Sequence, residues 1–390
     1  MTQTLNRITL ASLLFILLLT GCATETSATL TPIATLSPAA KVTATPSSTS
    51  SPVLSPTPIP ATPTNTPTSS PSTTLTPTST PIPTTTPTST PSKNPTPVPA
   101  SSHVSNAQLL DKIEMLDIVG DTGDITHVVI VSIDGLRPDA WDQADTPILD
   151  ALRAKGSFTD AAQTVLPAAT LIGHASMLGG MVPDKHGIYW NVYDPSLGKI
   201  NGPTLFSVAH EAGLNTAMVV GKPRLEHIVL PHSVDNYNYA GFTDRQVVNQ
   251  ALPMLQTGLS DILFIHLPDV DTFGHASGWM STDQLTTISA TDTMIGEVVV
   301  ELAAHGHLES TLLIITTDHG GKGFKHGSAL PEDITIPWLA VGPGIPAGLD
   351  LQSQVMVYDT AATALYALEL PVPPTWDGRP VLEIFGEGSQ

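Results

Sequence analysis

The chain has almost no cysteine, little basic charge and no apolar run long enough to span a bilayer. Cys22 is the single cysteine of 390 residues, so no intrachain disulfide can form. Lysine and arginine total 15 against 35 aspartate and glutamate, a formal net charge of −20. Nucleic-acid binding wants a basic face, and this balance argues against that class of partner. The most apolar stretch, Ile8 to Leu19, covers 12 residues, whereas a spanning helix needs about 20.

What that stretch does carry is an export pattern. Arg7 gives a thin positive start, the apolar core follows, and Leu19-Thr20-Gly21-Cys22 closes it. A small-residue box ending in cysteine is where bacterial lipoproteins are cut and acylated, so residues 1–22 read as a signal peptide and Cys22 as the lipidation site. The alternative is an ordinary cleaved signal with an incidental cysteine. Residues 23–102 are Ser, Thr, Pro and Ala, and the only charges between Ser27 and Ser101 are Lys41 and Lys93. Such a segment buries too little apolar surface to offset its ordering entropy and is expected to be a disordered linker. At about 3.1 Å per residue it could hold a domain on the order of 200 Å from the membrane. The expectation is an exported, lipid-anchored protein with its domain on the extracytoplasmic side.

Residues 103–390 differ sharply. They hold all 13 histidines, 12 of the 15 basic residues and 34 of the 35 acidic ones, a net of −22. That length is enough for one large domain with a substantial core. A site for anionic substrates inside so acidic a shell needs local positive charge, which bound metal ions supply.

Five short β-branched runs punctuate this domain: Val128 to Ile133, Thr216 to Val220, Ile262 to Leu267, Leu312 to Thr317 and Trp338 to Val341. Their unbroken apolar character suits strands buried on both faces. Helix-like stretches alternate with them, at Thr146 to Lys155, Leu205 to Ala212, Arg245 to Leu255, Ser281 to Ala304 and Asp359 to Leu368. The pattern predicts an α/β domain with a mostly parallel central sheet and helices on both faces, plus a small cap insertion. Such sheets carry their sites at the carboxyl ends of the strands.

Three of those ends deliver acidic residues, two of them with histidine. The first run leads into Asp134-Gly135, the third to Asp269, Asp271 and His275, and the fourth to Asp318-His319-Gly320 and then His326. A single strand-end aspartate more often caps a loop than binds metal. Together, three aspartates and three histidines make a mixed oxygen and imidazole set suited to Zn²⁺ and similar ions. Pro167-Ala168-Ala169-Thr170 reads as a turn entering a helix. A hydroxyl at a helix start feels the positive end of the dipole, which favours its ionised form. Taken alone, Thr170 reads better as a helix cap.

At these residues the sequence resembles the type I phosphodiesterase/nucleotide pyrophosphatase branch of the alkaline phosphatase superfamily. The motifs are Ile133-Asp134-Gly135, Thr170 with His174, His186-Gly187-Ile188, Asp271-Thr272-Phe273-Gly274-His275, Asp318-His319-Gly320, His326-Gly327 and Trp376-Asp377-Gly378-Arg379-Pro380, in family order over residues 126–385. The resemblance implies an alkaline-phosphatase-like fold and two divalent ions, zinc by preference. One would be held by Asp271, His275 and His326, the other by Asp134, Asp318, His319 and the Thr170 hydroxyl. It also implies that Thr170 is the nucleophile of a phospho-threonine mechanism and that Asn191 hydrogen-bonds a phosphoryl oxygen. His174 is read as support for the nucleophile helix. His186, His227, His232 and His266 are read as structural or surface histidines, and Asp269 as a neighbour of the ligand set.

The substrate class follows from what stands at the nucleophile position. Sulfatases of this superfamily use a formylglycine made from cysteine or serine, and here the residue is Thr170. Phosphoethanolamine transferases use threonine but carry several membrane helices. A phosphate ester is therefore expected, as diester, monoester or phosphonate. Lys222 and Arg224 follow the second strand run with a spacing similar to that of monoesterase and phosphonoacetate hydrolase relatives, and are candidate substrate-binding residues; a solvated loop is the alternative. A non-catalytic surface module that binds phosphate-bearing polymers is the rival functional class.

Overall fold

Strand-forming runs with no alternation demand cover on both sides, and the chain supplies it. In the computed structural model, which describes residues 105–116 and 124–386, eight strands form one sheet. They are β1 (His127–Ile133), β2 (Ser157–Gln163), β3 (Thr216–Val220), β4 (Asn236–Tyr239), β5 (Ile262–Leu267), β6 (Thr311–Thr316), β7 (Thr335–Val341) and β8 (Leu349–Asp350). Their order across the sheet is β4-β3-β5-β1-β6-β7-β2-β8. β7 runs antiparallel to β6 and β2, and every other pairing is parallel. The expected signal peptide, the Cys22 lipidation site and the linker of residues 23–102 lie outside the described residues.

Eleven helices surround the sheet among the described residues: α1 (Asn106–Met115), α2 (Pro138–Gln143), α3 (Pro147–Lys155), α4 (Thr170–Gly179), α5 (Pro183–His186), α6 (Leu205–Glu211), α7 (Asp244–Thr257), α8 (Asp269–Ser277), α9 (Thr282–Ala304), α10 (Pro331–Ile334) and α11 (Asp359–Ala367). Successive strand side chains point to opposite faces. In β1, Val128 and Ile130 join one core with residues of α4, α6 and α11; Val129, Val131 and Ile133 join the other with α1, α3, α7 and α9. Each such side chain fully removed from water contributes roughly 1.5–3 kcal/mol before cavity and strain effects. Both faces thus need apolar residues, which is why the strands show no period of two.

All five expected strands and all five expected helices are present within a few residues of their expected bounds. β2, β4 and β8 were not anticipated. The buried positions of β2 are Ser157, Thr159 and Ala162, so they carry only a weak apolar signal. β4 is a four-residue edge strand and β8 has two residues. Within residues 191–243, α6, β3 and β4 belong to the sheet and its cover rather than to a cap. What remains is two excursions laced together: Ile200 N–H donates to His227 O at 2.9 Å, Tyr193 Oη to Glu226 Oε2 at 2.8 Å, and Lys199 Nζ to Glu226 O at 2.7 Å.

Because β1, β3, β5 and β6 are parallel, their carboxyl ends share one edge. Asp134, Lys222, Asp271 and Asp318 all follow those ends.

Candidate active site

The first group is built on α8. Asp271 and His275 lie one helical turn apart, so their side chains share a face. His275 Nε2 is 3.4 Å from Asp271 Oδ1, and His326 Nε2 is 3.6 Å from the same oxygen. His275 Nδ1 donates to Phe324 O at 3.0 Å and His326 Nδ1 to Ala168 O at 2.8 Å. Each Nδ1–H is thereby engaged by a carbonyl, and Nε2 is the free ligand atom. The three ligand atoms lie within 4.8 Å of one another, close enough to share one ion.

The second group sits deeper. His319 Nδ1 donates to Gly320 O at 2.7 Å, which turns its Nε2 toward Asp318 Oδ2 at 3.3 Å, Asp134 Oδ1 at 3.5 Å and Asp271 Oδ1 at 4.0 Å. Asp134, Asp271 and His319 form a second set with ligand atoms within 4.8 Å. Asp271 Oδ1 is thus common to both sets, whereas the expected division gave it to the first alone. Asp318 lies outside that closest triple but stays in reach of His319.

The residues fit a cation. Asp134 Oδ1, Asp271 Oδ1 and Asp318 Oδ2 are buried carboxylate oxygens without a hydrogen-bond partner. Such oxygens are costly unless a charge is there to receive them. Oxygen and imidazole donors in this mixture suit zinc.

Lys222 brings a cation to the same cluster. Its Nζ lies 2.7 Å from Asp134 Oδ2, 2.5 Å from Asp271 Oδ2 and 3.4 Å from Thr170 Oγ1. It braces the outer oxygens of two carboxylates whose inner oxygens have no hydrogen-bond partner. Burial alone would raise the Asp134 carboxyl, but Lys222 and His266 outweigh it and hold it well below the usual range. Burial likewise pulls Lys222 down, and the two carboxylates prevail, raising it. Arg224, in the 3-10 turn Pro223–Ile228 that packs on α4, makes no ion pair among the described residues.

Thr170 opens α4 and is 1 % exposed. Its Oγ1 is 3.4 Å from His319 Nε2. Ala169, not Thr170, is the N-cap residue, and it offers no capping side chain. Asn191 takes over that task, its Oδ1 accepting from Leu171 N at 2.9 Å. The Asn191 amide hydrogens stay available beside the helix start. His174, one turn on, donates from Nδ1 to Thr170 O at 2.7 Å and contacts Ser132 Oγ through Nε2 at 2.8 Å. It ties the first turn of α4 to β1. A Cβ on Gly173 would collide with the Asp318 carbonyl, so glycine is what lets α4 lie against the loop after β6.

The other histidines divide. His186 is a structural residue, bonded to Ser176 Oγ at 3.0 Å, and burial lowers its pKa to about 4. His227 bridges Gly198 O and Asp194 N within the cap. Asp269 faces away from the cluster: it exchanges bonds with Asp244, Asp244 N–H donating to Asp269 Oδ2 at 3.1 Å and Asp269 N–H to Asp244 Oδ1 at 2.9 Å. Two contributors were not legible beforehand. His266 bonds Asp134 Oδ2 at 2.8 Å. Trp279 sits edge-on to His275, centroids 5.1 Å apart, and donates to Gly135 O at 2.9 Å.

The family described as type I phosphodiesterase/nucleotide pyrophosphatase matches residues 128–334. Among curated proteins, the chain is 32% identical over 104 residues to arylsulfatase K of Mus musculus, covering 25% of this chain and 19% of that protein. It is 26% identical over 215 residues to an uncharacterized pyrophosphatase/phosphodiesterase of Schizosaccharomyces pombe, covering 50% and 44% respectively. The match to these relatives spans less than half of their length. In fold, it superposes on murine ectonucleotide pyrophosphatase/phosphodiesterase 5, solved as an inactive threonine-to-alanine variant with AMP, with a TM-score of 0.58 at 16% identity, covering 66% of this chain and 99% of that one.

Proposed function

Since this chain belongs to the type I phosphodiesterase/nucleotide pyrophosphatase family, we propose that it hydrolyses phosphate esters, with Thr170 as nucleophile beside a centre for two divalent ions. One observation carries the reading: a buried threonine hydroxyl at a helix start lies against His319, beside buried carboxylate oxygens that have no hydrogen-bond partner.

Asp271, His275 and His326 would hold one ion, and Asp134, Asp318, His319 and Thr170 Oγ1 the other. Ions of this kind, zinc above all, lower the pKa of a neighbouring hydroxyl and offset the charge that gathers on phosphoryl oxygens. Thr170 Oγ1 attacks phosphorus in line; the new O–P bond forms as the bond to the leaving alkoxide breaks. The phospho-threonine is then cleaved by water, which restores the hydroxyl. Asn191 offers its amide hydrogens to a non-bridging oxygen while its Oδ1 stays on Leu171 N. The amino end of α4 adds a positive field at the same place. The inactivity of a threonine variant in the ectonucleotide pyrophosphatase/phosphodiesterase 5 structure is consistent with a nucleophilic threonine. On this reading the domain works outside the cell membrane, tethered through Cys22 and residues 23–102.

Thr170→Ala should lower turnover of p-nitrophenyl phosphate esters by at least about a thousandfold, the scale of losing a nucleophile. A chelator should abolish activity and added zinc restore it. Near wild-type turnover by the variant overturns the proposal.

A further inference from the structure

We propose that His266 is a positioning residue for the metal centre, holding the Asp134 carboxylate so that Oδ1 faces the ion. The inference rests on the phosphoesterase reading above.

His266 lies inside β5, fully buried, in register with Ser132 of β1 and Val220 of β3. An imidazole in a strand covered on both faces is costly unless both nitrogens are satisfied. Here both are. The Gly221 N–H donates to Nδ1 at 3.2 Å. A ring nitrogen that accepts from an amide carries no hydrogen, so the single hydrogen of the neutral ring sits on Nε2. Nε2 then donates to Asp134 Oδ2 at 2.8 Å.

Lys222 Nζ reaches the same oxygen at 2.7 Å. With two donors on Oδ2, rotation of the carboxylate would break both bonds. Oδ1 is therefore the oxygen left facing the cluster, and it has no hydrogen-bond partner. The loop after β3 supplies both controls, since Gly221 sets the tautomer and Lys222 shares the oxygen. A Cβ on Gly221 would collide with the Pro268 ring, so the approach to β5 requires glycine. His174 packs edge-on to His266 with centroids 4.9 Å apart and fixes the ring plane.

A histidine that merely fills the core would affect stability and nothing else. Partners that orient a ligand set metal affinity, typically by about 10- to 100-fold when removed. The test compares the wild-type protein with His266→Leu and His266→Gln. Zinc affinity is read by competition with a chromogenic chelator, folding by the melting temperature of the metal-free proteins, and the tautomer by ¹⁵N resonances of labelled histidine. The expected result is that His266→Leu loosens at least one bound zinc by about 10- to 100-fold. His266→Gln, which keeps an N–H donor, should recover most of that loss, and the wild-type ring should show its hydrogen on Nε2. The glutamine variant and the ring spectrum decide the matter if leucine prevents folding. Wild-type zinc affinity in folded His266→Leu, or a hydrogen on Nδ1, overturns the inference. If the wild-type protein itself takes up no zinc, the phosphoesterase reading fails and this one with it.

Discussion

Lys222 and Arg224 stand two residues apart and differ in what they touch. Lys222 is spent on Asp134 and Asp271, bridging their outer oxygens. Arg224 keeps its guanidinium free of ion pairs among the described residues, and a guanidinium forks well onto two phosphoryl oxygens. The pair therefore separates by substitution. Arg224→Ala should raise KM for a phosphate monoester by about tenfold, the loss of roughly one charge-assisted hydrogen bond, with a smaller effect on diesters. Lys222→Ala should lower kcat for both classes alike, because it frees the Asp134 and Asp271 carboxylates. Equal effects of Arg224→Ala on monoesters and diesters would remove its assignment to the substrate. Asp134, Asp271, His275, His319 and His326 were legible because each follows an unmistakable strand or helix signal. His266 was not: a histidine within an apolar run gives no hint that a neighbouring strand's aspartate lies 2.8 Å away.

Elements place these residues, and their mutual ties are testable away from the site. Asp292 of α9 accepts from Ile148 N and Leu149 N at the start of α3, at 3.2 and 2.7 Å. Burial pushes its carboxyl up to about 7 against the opposing pull of those two bonds. In the unfolded chain the same group titrates near 3.8. The folded chain binds the extra proton between those values, so this stabilising contribution is whole below about 3.8 and is lost as pH rises through about 7. Asp292→Asn removes the titration, and its missing acceptor is a constant offset at every pH. The melting temperature of the wild type relative to Asp292→Asn should thus fall by a few degrees between pH 5 and pH 8. A difference that is flat or rises over that interval contradicts the assignment. Strands with a double apolar face were readable at this scale. β2 was not, since small and polar residues such as Ser157 and Thr159 occupy its buried positions and pairing with β7 holds it in place.

For the whole domain, the parallel sheet does the gathering. Asp134, Asp271 and Asp318 are up to 184 residues apart in the chain, yet β5, β1 and β6 are neighbours. Sequence order alone gave their shared edge, because parallel strands end on one side; it did not give their spacing or the shared use of Asp271. A domain carrying a net of −22 repels an anionic ester at long range, so the attraction must be local. Lys222 is already paired with Asp134 and Asp271, so on the proposed reading that task falls to the ions and Arg224. The most direct test is anomalous diffraction at the zinc edge from crystals grown with zinc. Two peaks are expected, one among Asp271, His275 and His326, the other among Asp134, Asp318 and His319 beside Thr170 Oγ1. No peak in this cluster, or a Thr170 side chain turned away from both, would contradict it.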